Sequence, residues 1–248
     1  MPISPNSAEK NGGNIITITG VNLSNAAVNF DNIPATVTAN TPTSVTVLSP
    51  PGTGVSVVTV VTPGGISNGL YFYYIEFPII SNINNNNASG PTAGGNTVII
   101  NGYNLSTATS VNFGGNAATP TIISDAQISV VAPAAESQGT VFVSIVTAGG
   151  TTAEINYNYV DAPTLNNISP ASGSTAGGTS VTLTGINLST TTSITIAGTS
   201  AAFAIINSTI ATIITPPGTV GAADIVLVTT GGSTSVIGGY TYVSSPGI

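Results

Sequence analysis

AGGTSVTLTGINLS, residues 176–189, joins a short alternating run to a five-residue turn. Ser180 to Thr184 alternates polar and apolar side chains, the mark of a strand with one buried face. Gly and Asn on either side are chain punctuation. The same pattern occurs twice earlier, as NGGNIITITGVNLS at 11–24 and AGGNTVIINGYNLS at 93–106. In each copy seven residues carry the second Gly of the pair to the next: Gly13 to Gly20, Gly95 to Gly102, Gly178 to Gly185. Asn-Leu-Ser also satisfies the N-x-[ST] glycosylation pattern. Its return at one repeat position argues for a turn instead. Gly20, Gly102 and Gly185 are expected to end a strand and to permit positive φ or a tight bend. Asn22, Asn104 and Asn187 tolerate the left-handed region and can bond nearby backbone. Leu23, Leu105 and Leu188 then turn into the core. Asn87 and Asn207, outside the motif, are the less constrained sugar acceptors.

A second set of Gly-Gly pairs falls at 64–65, 149–150 and 231–232, each after an alternating apolar run. Aromatic pairs close each unit: Phe72 and Tyr74, Tyr157 and Tyr159, Tyr240 and Tyr242. Their i, i+2 spacing puts both rings on one face, directed to the core. The repeat is 82 residues from Gly20 to Gly102 and 83 from Gly102 to Gly185. No segment sustains a 3.6-residue apolar period. The expectation is three small all-β domains in a row, 1–76, 77–161 and 162–243, with a tail at 244–248. Units of about 80 residues bury only some 60–65% of their unfolded surface, so each is modestly stable. The linkers YIEFP at 74–78 and YVDAP at 159–163 are short, and Pro78 and Pro163 stiffen matching positions.

PTLNNISPASGSTAGGTSVTLTGINLS, ITIAGTSA, ITPPG, IVLVTTGGS and YTYV in the third unit resemble an IPT/TIG domain almost end to end. GPTAGGNTVIINGYNLS and VNFGGNAAT carry the resemblance in the second, and NGGNIITITGVNLS, VNFDNIPAT and VVTPGG in the first. It covers essentially the whole chain. The resemblance implies three tandem immunoglobulin-like β-sandwich domains, arranged as an elongated rod, with sheets packed about 10 Å apart. The family includes plexins and other cell-surface receptors, transcription factors, accessory domains of starch-acting enzymes and microbial surface proteins. The resemblance thus fixes fold and leaves function open.

Composition narrows the function. The chain has 248 residues, one Lys, no Arg, His, Cys or Trp, and a net charge of −7. Charged residues are 4% of the chain, against about 25% in an ordinary soluble domain. Most general-base, thiol and phosphate-clamp chemistry lacks its side chains. The eight acids, Glu9, Asp31, Glu76, Asp125, Glu136, Glu154, Asp161 and Asp224, are scattered. No catalytic residue and no cofactor are expected. Glu76 and Asp161 align at the two domain joints, but one carboxylate per joint is too few for a tight calcium site, and no metal is expected. Nucleic acid is excluded as a partner, since phosphate binding relies on Lys and Arg. No apolar run approaches the 18–20 residues of a membrane span. MPISPNSAEK has no apolar signal core. A single site for trypsin-like proteases, after Lys10, suits extracellular exposure. Tyr71, Tyr73 and Tyr103 break the repeat pattern and are candidates for exposed sugar-stacking rings. The run NINNNNAS at 82–89 is a polar loop with a two-residue insertion.

The first unit lacks the stretch equivalent to APTL of the third, and the tail supplies a match. Pro246 aligns with Pro163, Ile248 with Leu165, Met1 with Asn166 and Ile3 with Ile168. VSSPGI followed by MPISPNSAEKNGG matches residues 160–178 without a gap. Two explanations stand: a stretch of a longer array, or a subunit whose tail completes the first sandwich of the next. The function expected is an extracellular, cell-surface or virion-surface structural protein. It would assemble head to tail into a filament or layer through Met1, Pro2, Ile3, Ser244, Ser245, Pro246, Gly247 and Ile248, with Glu76, Pro78, Asp161 and Pro163 at the internal joints. The alternative is an adhesin or receptor-like module that recognises a surface glycan or protein.

Overall fold

The computed structural model describes residues 2–84 and 87–244; Met1, Ser245, Pro246, Gly247 and Ile248, assigned above to the subunit interface, lie outside them. Among the described residues there is no α-helix. Six sheets form three sandwiches, one per repeat. In repeat one a four-stranded sheet runs Ile3–Ser4, Ile15–Thr19, Ser44–Leu48, Thr36–Asn40 in space. The facing sheet runs Ser7–Glu9, Leu70–Ile75, Val55–Thr62, Ala27–Phe30, Ile33–Pro34, with Gly65–Ile66 paired to Val55–Thr62. The second and third repeats follow the same spatial order. By backbone contacts the chain divides into two compact units. One is Met1–Asn84, Ile99–Val130 and Val143–Ile155; the other is Asn85–Val98, Val131–Phe142 and Asn156–Ile248.

Alternation in the sequence becomes alternation of burial. In Ile15–Thr19 only Ile16 and Ile18 are buried, and in Ser180–Ile186 only Val181, Leu183 and Gly185. In repeat one, Val45 and Val47 join the two isoleucines against Val28, Phe30, Val58, Val60, Phe72 and Tyr74 of the other sheet. The closing aromatic pairs stack edge to face at 5.1 Å in all three repeats. That is the arrangement ring quadrupoles favour. The second aromatic of each closing pair also satisfies its hydroxyl. Tyr74, Tyr159 and Tyr242 donate to the carbonyls of Pro50, Pro133 and Pro216 at 2.8, 2.8 and 2.6 Å. A buried hydroxyl without a partner would cost a few kcal/mol, and these three bonds remove that cost.

The first strand is shorter in repeat one. It pairs Ile3 with Ile18, as repeat two pairs Ile83 with Ile100 and repeat three Ile168 with Leu183. The alignment of Ile3 with Ile168 is therefore a register in space. In the later repeats pairing continues, Ile80 to Gly102 and Ile79 to Tyr103, Leu165 to Gly185 and Thr164 to Ile186.

The turn motif needs one correction. Positive φ falls on the asparagines, Asn22 at 60°, Asn104 at 58° and Asn187 at 59°, as their turn role requires. It does not fall on the preceding glycines, and the strands Thr97–Tyr103 and Ser180–Ile186 run through Gly102 and Gly185. These glycines allow close backbone approach instead. A Cβ on Gly102 would lie 2.0 Å from the Ile79 carbonyl oxygen, and one on Gly185 1.9 Å from that of Thr164.

Candidate functional site at the linker joints

The linker Glu76–Pro78 leaves the last strand of repeat one and lies on the second Gly-Gly turn of repeat two. A Cβ on Gly149 would sit 2.1 Å from the Glu76 carbonyl oxygen, so only glycine fits beneath the linker. Gly149 is buried, and Thr147 behind it is 7% exposed, its hydroxyl accepting from the Gly149 amide at 3.1 Å. Asn104, held in the left-handed region, donates its side-chain amide to the Phe77 carbonyl at 2.8 Å. Asp125 braces that loop. It accepts from the Ser106 hydroxyl at 2.7 Å and from the Ser106 and Asn104 amides, both at 3.3 Å. The Ser106 hydroxyl, foremost, holds the Asp125 carboxyl below the usual carboxylate range. Lys10 pairs with Glu76, and its ammonium lies 5.3 Å from the centre of the Phe77 ring. Pro78 is buried.

Asp161–Pro163 repeats the arrangement on the third sandwich. A Cβ on Gly231 would lie 2.0 Å from the Asp161 carbonyl oxygen. The Asn187 amide donates to the Ala162 carbonyl at 3.2 Å. Pro163 and Gly231 are buried, and Thr229 is 5% exposed. In both joints the receiving sandwich reads the linker through backbone carbonyls. Side chains of the linker are thus free to differ, Glu-Phe-Pro in one and Asp-Ala-Pro in the other, apart from the proline.

The first sandwich carries the same receiving surface with Gly64 exposed. Val21, Asn22, Leu23, Val60, Thr62 and Gly64–Ser67 line an open groove of about 220 Å³ there.

Other candidates are weaker. Among the described residues no three acidic side chains gather as a metal site. Tyr71 and Tyr73 are 64% and 46% exposed and share the outward face of Leu70–Ile75, with Val57 and Val55 opposite them in the neighbouring strand. Tyr103 is also exposed, on a different strand. A polar cleft at Gln138, Gly139, Asn158–Val160, Asn187, Ser189 and Thr190 has only a buried aromatic, Tyr159, in its wall.

Of the residues picked out in the sequence, Glu76 and Pro78 lie in the linker over Gly149, and Asp161 and Pro163 in the linker over Gly231. Pro2 lies where its carbonyl accepts from the Thr19 amide at 3.1 Å, and Ser244 is exposed after the last strand. Lys10, which reads as part of a polar turn, belongs to the first joint through a pair 66 residues apart in sequence. Gly149, Gly231, Asn104 and Asn187 were visible as repeat markers, but their contact with the linkers was not. The one hint was that each linker proline follows the closing tyrosine of the preceding repeat by four residues, Tyr74 to Pro78 and Tyr159 to Pro163.

Tandem sandwiches with buried aromatic closing strands and left-handed asparagine turns define an immunoglobulin-like module repeated three times. The IPT/TIG domain family model matches residues 1–75, 78–159 and 163–242, and the chain belongs to that family. Among solved structures, the extracellular region of plexin A4, domains 1 to 10, is similar with 19% identity and a TM-score of 0.49 over 96% of this chain and 28% of that one. The SGBP-B protein of the Bacteroides ovatus mixed-linkage glucan utilization locus has 19% identity and a TM-score of 0.31 over 85% of this chain and 55% of that one. The Escherichia coli adhesin FdeC has 13% identity and a TM-score of 0.33 over 95% of each. The chain thus spans less than a third of the plexin ectodomain it resembles.

Proposed function

We propose that this is a non-enzymatic structural protein of the extracellular or cell-surface space, built to be extended by further sandwiches and self-assembling head to tail. The observation that carries this reading is the joint made twice with the same parts: a glycine under the linker carbonyl, a left-handed asparagine on the next carbonyl, and a buried proline. Such a joint can be added again wherever a linker meets a receiving surface. Charged residues are only 4% of the chain, so close packing of copies desolvates few ionic groups. The test is multi-angle light scattering and electron microscopy of the full chain at rising concentration. Polymers support the reading; a strictly monomeric chain at millimolar concentration sinks it.

A second reading has its own observation, the outward pair Tyr71 and Tyr73 flanked by Val55 and Val57. Two rings at i and i+2 on a flat sheet make a platform on which sugar rings stack, as expected of a glycan-binding adhesin. Repeats two and three put Asn156 and Asn158, and Gly239 and Thr241, at those places, so the platform is confined to the first sandwich. A glycan array with wild-type and Tyr73→Ala protein tests it. Saturable binding lost in the variant supports the platform, and identical arrays remove it.

A further inference from the structure

We infer that the repeats are load-bearing: in each, a strand near the start and the last strand form a clamp that resists tension along the chain by shear. This goes beyond self-assembly and does not need it, since a stalk that holds a ligand carries the same load. The clamp is a parallel pair. Ser7–Glu9 lies beside Leu70–Ile75, Ser89–Pro91 beside Ile155–Val160, and Ser172–Ser174 beside Gly232–Val243, each over a three-residue ladder. The backbone bonds at both ends of the ladder also recur. Tyr73, Asn158 and Thr241 donate their amides to the carbonyls of Asn6, Ala88 and Ala171 at 2.9, 2.8 and 2.9 Å. Lys10, Thr92 and Thr175 donate to the carbonyls of Ile75, Val160 and Val243 at 3.2, 3.0 and 3.0 Å.

Repeat two lies between two others, so tension enters it ahead of Ser89 and leaves it after Val160. The paired strands run the same way. Tension therefore pulls Ser89–Pro91 backwards and Ile155–Val160 forwards along their axes. The bonds between them are loaded together and must fail together. An antiparallel hairpin pulled from its open end gives way one bond at a time. The clamp strand is also seated directly on the core, which keeps water from that side of its bonds. A Cβ on Gly90 would lie 2.1 Å from the Tyr157 hydroxyl oxygen, and one on Gly173 2.1 Å from that of Tyr240. In repeat one the matching aromatic is Phe72, which has no hydroxyl, and a buried Ala8 stands at the glycine's place. The middle residue of the clamp is thus as large as the ring beneath it permits. With no cysteine to tie its strands, a repeat whose clamp fails releases about 270–300 Å of extended chain for its 82 or 83 residues.

The test is single-molecule force spectroscopy at constant force on the full chain, held by a cysteine added at each end. Three unfolding steps of similar length are expected. Thr92→Pro removes the N–H that donates to the Val160 carbonyl. It is the chosen variant because Thr92 is the second residue of a turn closed by the Gly94 amide on the Pro91 carbonyl at 2.9 Å, where the fixed φ of proline fits. One lost bond should shorten the lifetime of one step in three about fivefold. Adding Thr175→Pro should shorten two in three. Thr152→Val is the comparison. It deletes the hydroxyl that accepts from the Ile145 amide at 2.9 Å, outside the clamp, and should lower Tm while shortening no step. A second measurement leaves the clamp unmutated. Thr119→Cys and Ser137→Cys flank the open end of the hairpin of Thr121–Ser124 with Gln127–Val131, so tension between them peels it. At the same force this direction should give shorter lifetimes than end-to-end pulling. Equal lifetimes in the two directions, or for Thr92→Pro and wild type, overturn the clamp. So does a Thr152→Val chain whose steps shorten as much as those of Thr92→Pro. Single molecules are pulled, so a chain that stays monomeric in solution but shows the clamp removes the self-assembly reading alone.

Discussion

Gly185→Ala tests the close packing of the third sandwich most sharply. The added methyl carbon would stand 1.9 Å from the Thr164 carbonyl oxygen, 3.0 Å from its carbon and 3.3 Å from the Leu165 Cα. All three are backbone atoms, so no flexible side chain can yield. A separation of 3.0 Å is the least a real Cβ tolerates, and the strand Thr164–Ser169 must retreat by more than an ångström. That breaks the pairing of Leu165 with Gly185 and loosens Ile168 from the core. The cost falls at the upper end for overpacking, about 3 kcal/mol. For a domain of this size 1 kcal/mol moves Tm by about 4–8 °C, so the third transition should fall by roughly 12–24 °C. Gly178→Ala is the comparison: at φ +81° with nothing within 4 Å, its cost is backbone strain alone, about 1 kcal/mol. Calorimetry gives the transitions, and hydrogen exchange with peptic digestion locates the loss in residues 164–169. A Tm shift no larger than that of Gly178→Ala, or unchanged protection of 164–169, would refute the argument from close approach.

Further outcomes follow from the joints and the tyrosines. Asn104→Gly should lose only the bond to the Phe77 carbonyl, about 1 kcal/mol, whereas Asn104→Ala adds left-handed strain of about 1–2 kcal/mol; equal melting temperatures for the two would contradict the φ argument. Lys10→Gln removes an exposed ion pair with Glu76 and should cost under about 1 kcal/mol, with the difference vanishing in 1 M salt. Tyr159→Phe deletes the hydroxyl bond to the Pro133 carbonyl and should cost about 1 kcal/mol in a denaturant titration. Burial, and next repulsion from the charge Tyr157 carries when ionised, push the Tyr159 phenol up to about 12, and Tyr74, Tyr157 and Tyr242 are also raised above 10.0. Above pH 10 the unfolded chain then releases protons that the folded one keeps. Stability should be flat from neutral pH to pH 10 and fall from pH 10 towards about 12. Circular dichroism melts at pH 9, 10.5 and 11.5 would disprove this by showing one Tm throughout.

Local chemistry was enough to set the repeats, the strands and the core. Strict alternation in ITIT and VTLT forces one face inward, because successive strand side chains point to opposite sides. The same rule placed Phe72 and Tyr74, Tyr157 and Tyr159, Tyr240 and Tyr242 inside. Asn22, Asn104 and Asn187 revealed their left-handed turn because that preference belongs to the residue itself. Other features depended on what comes near in space. Gly102 and Gly185 look like bend glycines, yet their need for a missing Cβ comes from a strand about 20 residues earlier in sequence. Gly149 and Gly231 are glycine because a linker carbonyl rests on them, and Lys10 meets Glu76 only once the first sandwich closes. Periodicity along the chain reports which face of a strand is buried; it carries no information on which backbone crosses which glycine. That was decided by the packing of one repeat against the linker that precedes it.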